Sequence, residues 1–178
     1  HCYETSKGIL RAAIHAGEGL KVFPDNGPPA CKVELKQMHG RKCFKAIAVA
    51  ELTRRERIRD QEGLMLLTRK RSGEIKGRLA YNGKKTRDWI SKENTSSPTV
   101  GTHSIMLTCA IDAYECRDIM VSDVPNAFIQ TDAPKKEVGE RVIMKIRGKL
   151  VDWLVDLEPG EYKNLVVIEN HQKVIYLL

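Results

Sequence analysis

The sequence predicts an α+β fold, and three observations carry that prediction. Residues 64–80 read as an antiparallel β-hairpin. Apolar positions at helical spacing recur in two separate stretches, around 102–115 and 149–157. Helical and strand signals follow one another in no regular β-α-β alternation, which argues against a parallel doubly wound sheet. At 178 residues the chain is long enough for one domain or two small lobes.

Residues 1–40 form a lead-in, partly loop, and Asp25-Asn26-Gly27-Pro28-Pro29 is a turn signal within it. Val33, Leu35 and Met38 lean towards a helix. Residues 41–98 form a basic segment. There Thr53-Arg54-Arg55-Glu56 reads as a capping box opening a short helix to about Asp60, with Gly63 as its stop. Leu64 to Thr68 is an apolar strand, and Arg69 to Gly73 is a polar turn ending in glycine. In the return strand Ile75, Gly77 and Leu79 alternate with Lys76, Arg78 and Ala80, so Lys76 and Arg78 share a face. Asn82-Gly83 breaks the chain, and 84–97 is polar and loop-like.

Residues 99–178 carry the remaining signals. Thr102 is the expected N-cap of a helix to about Glu115, with Ile105, Met106, Cys109, Ala110 and Ala113 forming a core-facing stripe. Asp118 to Val124 alternates as a strand that Pro125 ends, placing Asp123 at its terminus. A strand over 142–146, a helix over 149–157 and a closing apolar run over 174–178 complete the reading.

Charge is unevenly spread. Residues 1–100 hold 21 basic and 11 acidic side chains, a net of +10, whereas 101–178 hold 9 and 12, a net of −3. A basic half of this size suits a polyanionic partner as well as a solvated surface. Five cysteines, with no Cys-x-x-Cys pair and no histidines at ligand spacing, argue for free thiols in a reducing compartment and against a zinc site. No apolar run approaches the ~18 residues of a membrane span. The first residue is His1 and no leader pattern precedes the fold, so the sequence reads as an excerpt from a longer intracellular chain.

The most informative stretch is Asp123-Val124-Pro125-Asn126-Ala127-Phe128. It resembles motif A of reverse transcriptases, in which Asp-Val-x-x-Ala followed by Phe or Tyr carries the first catalytic aspartate. Other segments match in order. Lys70 to Leu79 resembles the fingers hairpin of copia-type LTR retrotransposon reverse transcriptases, with its Lys-x-Arg-Leu core at Lys76 to Leu79. Ala80-Tyr81-Asn82-Gly83 stands where that family has a short residue pair and glycine. Ser96-Ser97-Pro98-Thr99-Val100 resembles its Ser-Pro segment before the first palm helix.

The resemblance implies part of a right-hand polymerase, with fingers in 41–98 and the first part of the palm in 99–178. The activity it implies is RNA-directed DNA synthesis by two-metal phosphoryl transfer, with Mg²⁺ as cofactor. It makes Asp123 a catalytic metal ligand and the backbone carbonyl of Val124 a second one. Lys76 and Arg78 would bind the triphosphate of the incoming dNTP, with Ala127 and Phe128 beside it and Phe128 gating against a ribose 2′-hydroxyl. The implied partners are an RNA or DNA template-primer, dNTP and the rest of a polyprotein, with no membrane. The implied location is the cytoplasm, a virus-like particle or the nucleus.

The family also uses two aspartates in a Tyr-x-Asp-Asp hairpin, and no Asp-Asp pair occurs in this sequence. The chain alone is therefore expected to be inactive. The alternatives are a non-catalytic basic nucleic-acid-binding module and the product of a decayed element.

Overall fold

The computed structural model describes residues 13–85, 99–124, 127 and 137–178. They fall into two units, one formed by 1–85 with 134–178 and the other by 86–133. The architecture is α+β, built on a mixed sheet.

In the first unit, β1 (Ile14–His15) leads into α1 (Ala16–Val22) and α2 (Gly27–Gly40). After β2 (Ala46–Ile47) and a 3-10 turn over Val49–Glu51 come α3 (Arg54–Arg59), β3 (Gln61–Arg69) and β4 (Ile75–Tyr81). The second unit contributes one described helix, α4 (Thr102–Tyr114). The chain then returns to the first unit as β5 (Met144–Arg147), α5 (Lys149–Leu157), α6 (Pro159–Tyr162), β6 (Val167–Glu169) and β7 (Gln172–Leu177).

β3 and β7 organise the sheet. β3 pairs antiparallel with β4 from Gly63↔Tyr81 to Arg69↔Ile75, and with β1 at Leu66 and Leu67. Its first two residues pair parallel with β5, at Gln61↔Met144 and Glu62↔Lys145. β7 pairs antiparallel with β5, β6 and β2. One face of this sheet packs on α2 and α5, with Cys31, Leu35, Leu67, Ile146, Leu154 and Ile175 at the centre of the apolar core. A smaller cluster around Ile47, Leu52, Ile143, Val174 and Tyr176 forms a second apolar centre.

Local chemistry accounts for several boundaries. Thr53 and Glu56 form the expected capping box, with the Glu56 amide donating to Thr53 Oγ1 at 3.2 Å and the Thr53 amide donating to Glu56 at 2.9 Å. The β3–β4 turn closes through the Lys70 amide on the Glu74 carbonyl at 2.8 Å. Gly73 sits there at φ +86°, where a side chain is strained.

Four expectations need correction. Gly27-Pro28-Pro29 is not loop but the first turn of α2, because a first-turn residue needs no amide donor and proline loses nothing there. Gly63 does not stop α3, which ends at Arg59. It lies inside β3, where a Cβ would meet Ile146 and Met144 at 3.1 Å. The α4 stripe is not core: α4 begins at Thr102 with Gly101 as its cap, and none of its residues is buried. Its own unit offers no packed sheet or helix among the described residues to cover it. Residues 118–124 form no strand; Ile119, Met120, Val121 and Val124 are all exposed. Alternation without a partner strand leaves backbone donors and acceptors unpaired, and an isolated strand does not hold in water.

Candidate functional site

The β3–β4 hairpin positions the basic residues singled out in the sequence. Gly77 fixes which face of β4 turns inward. A Cβ built there would stand 2.7 Å from the Ala30 carbonyl oxygen, so α2 sits directly against that position. The neighbouring alternate residues, Lys76 and Arg78, therefore face away from α2 and are exposed. A strand rises about 3.3 Å per residue, so their backbones are spaced by about 6.6 Å. They pair across the hairpin with Thr68 and Leu66, both half-buried, so the two cations stand beside one hydroxyl-bearing and one apolar side chain. α2 also satisfies the other edge of β4, since Glu34 accepts from the Leu79 amide at 3.1 Å.

The carboxylate of the motif lies in the other unit. Asp123 and Val124 belong to an exposed, irregular segment, and Ala127 is exposed as well. Pro125, Asn126 and Phe128 lie outside the described residues, as does the 86–98 stretch. Among the described residues no group of three or more His, Cys, Asp or Glu side chains could hold a metal ion. Mg²⁺ binds through carboxylate oxygens and surrenders its waters reluctantly, so one exposed aspartate does not make a two-metal site. The described residues thus do not by themselves fit the cofactor that the motif implies.

Two buried polar networks were missed in the sequence. In the first, Glu56 is almost fully buried and its carboxylate accepts from Arg141 Nε at 2.6 Å and Arg141 Nη2 at 2.9 Å. The Gly139 amide adds a bond at 2.9 Å. The Arg141 fork and these amides outweigh burial and hold the Glu56 carboxyl far below the usual carboxylate range. In the second, Lys145 bridges Asp60 at 2.8 Å and Glu169 at 3.0 Å and lies 5.0 Å from the Tyr176 ring centre. Burial would lower its pKa, but the bonds to Asp60, Tyr176 and Glu169 outweigh that and raise it. Lys85 closes on the same Asp60, at 2.9 Å to its carbonyl and 3.2 Å to its carboxylate.

Only half of the first network had a local signal, the Thr53–Glu56 box. Arg141 lies 85 residues further on, and nothing in the spacing points to it. The Asp60–Lys145 pair follows from the parallel β3–β5 register, which a single sequence does not encode visibly. Both networks are closed by partners within the chain, which fits a structural role.

No protein-family model, curated protein or solved structure matches the chain. No helix among the described residues is long and apolar enough to cross a membrane.

Proposed function

We propose that this chain is a segment of a copia-type retrotransposon RNA-directed DNA polymerase, comprising fingers and the first part of the palm. The observation that carries the reading is the ordered run of motifs from Lys70–Leu79 through Ser96–Val100 to Asp123–Phe128. The hairpin with exposed Lys76 and Arg78 lends support, because guanidinium and ammonium groups on an open strand face suit a triphosphate. In this reading Asp123 and the Val124 carbonyl hold Mg²⁺ together with the aspartates of a Tyr-x-Asp-Asp hairpin, and Ala127 and Phe128 lie beside the nucleotide sugar.

The test is primer extension by a polymerase that carries this segment together with such a hairpin. Asp123→Asn is expected to lower kcat by several orders of magnitude while leaving thermal unfolding unchanged. Full activity in that variant rejects the assignment.

A second reading, a nucleic-acid-binding module without catalysis, is favoured by one observation. Asp123 stands in an exposed segment, and no metal-binding cluster exists among the described residues. It predicts that Asp123→Asn changes nothing, whereas Lys76→Gln with Arg78→Gln weakens binding.

A further inference from the structure

We propose that α3 is a second binding surface, one that grips the phosphate backbone of a nucleic acid through Arg54, Arg55 and Arg57. The proposal rests on the nucleic-acid reading above but on no role for Asp123.

At roughly 100° per residue, Arg54 and Ile58 project almost opposite Glu56, with Arg55 and Arg57 on the two flanks. Glu56 is buried, while Arg54, Arg55, Arg57 and Ile58 are exposed. The solvent side of this helix therefore carries three arginines beside an exposed Ile58.

What distinguishes it from an ordinary solvated face is the disposition of the nearby acids. Glu56, the one acid in α3, spends its carboxylate on Arg141, Gly139 and Thr53. Asp60, the C-cap, is held by Lys145 and Lys85. Cations from elsewhere in the chain thus neutralise both of these acids, whereas Glu51, in the 3-10 turn just before α3, stays exposed. Arg54, Arg55 and Arg57 form no ion pair among the described residues. By contrast, Lys70 is matched by Glu74 at 2.6 Å.

Three exposed guanidinium groups spread around the solvent side of α3, with no ion-pair partner among the described residues, suit backbone phosphates, and each can give a forked pair of hydrogen bonds. Counterion release then supplies affinity without sequence preference. The net +10 of residues 1–100 favours the same polyanion.

The test uses the 178-residue chain and a short labelled single-stranded RNA, titrated at several salt concentrations. Combined Arg54→Gln, Arg55→Gln and Arg57→Gln should weaken binding roughly tenfold or more at low salt. They should also flatten the slope of log affinity against log salt by about 2, at about 0.7 per phosphate for three phosphates. A control with the same charge change on exposed residues, Lys21→Gln, Lys32→Gln and Lys36→Gln, should leave most of the slope.

Equal losses in the two triple variants would overturn the proposal, because bulk charge would then account for binding. So would binding to anionic phosphatidylserine vesicles without binding to RNA. Loss on Lys76→Gln with Arg78→Gln, but none on the α3 triple, would overturn it while leaving the hairpin reading intact. A measurement independent of variant folding is phenylglyoxal modification of the unaltered chain. RNA should protect Arg54, Arg55 and Arg57, and unprotected arginines there would overturn the proposal.

Discussion

At the scale of single residues, Glu56 illustrates how a carboxylate becomes structural. It accepts bonds from Arg141, Gly139 and Thr53, so removing the charge leaves Arg141 half-stranded in a nearly closed site. Glu56→Gln should cost about 3–5 kcal/mol, as for other broken buried pairs, read as a lower midpoint in urea denaturation. The pH dependence has a defined sign. The folded carboxyl titrates well below its ordinary value of 4.5, so the unfolded chain binds the proton first as pH falls. Its contribution is therefore complete above about 4.5 and declines as pH drops below that. Urea midpoints measured downward from neutral pH should fall in the wild-type chain and fall less in Glu56→Gln. Equal pH dependence in the two proteins would contradict this. Half of the site was legible, since Thr-x-x-Glu is a recognisable spacing; the partner Arg141 was not, because nothing local marks it.

At the scale of elements, the hairpin and the segment around Asp123 show what an alternating pattern can and cannot determine. Both alternate in sequence. The 64–80 stretch carries its own partner strand and a Gly73 turn, so its pairing is local and the pattern suffices. Residues 118–124 form no strand and pair with none among the described residues. The same distinction applies to helices. The 149–157 stretch became α5 with Val151 and Leu154 in the core, whereas the equally apolar α4 has no buried residue. The apolar residues of α5 gather on one face, whereas those of α4 are spread around the helix and define no single face to bury. Gly77→Ala would place a methyl group 2.7 Å from a backbone carbonyl of α2, which cannot yield as a side-chain tip can. A cost of about 1–3 kcal/mol is expected, measured as a lower Tm. By contrast, Gly40→Ala meets no atom within 4 Å and should leave Tm close to wild type. An unchanged Tm for Gly77→Ala would show that α2 does not pack on β4 as described.

At the scale of the whole molecule, the lead-in, the basic segment and the C-terminal stretch all contribute strands to a single sheet. β1 pairs with β3, β3 with β5, and β7 with β2. The class α+β was legible because it depends on which elements exist. The sheet order was not, because it depends on pairings as distant as Ala46 with Leu177. What the charge distribution contributes at this scale is a cationic first half with two exposed basic faces, β4 and α3, and a motif carboxylate in the other unit. On the function proposed above, this chain would meet a nucleic acid through its backbone phosphates and, without the Asp-Asp pair of a complete polymerase, would add no nucleotide to it. The most direct test is salt-titrated binding of a template-primer to the purified 178-residue chain, with dNTP and Mg²⁺ added at the end. Neutralising about four to six phosphates predicts a slope of log affinity against log salt of roughly −3 to −5, with little sequence preference and no primer extension. Binding that ignores salt, or templated incorporation by this chain alone, would contradict it.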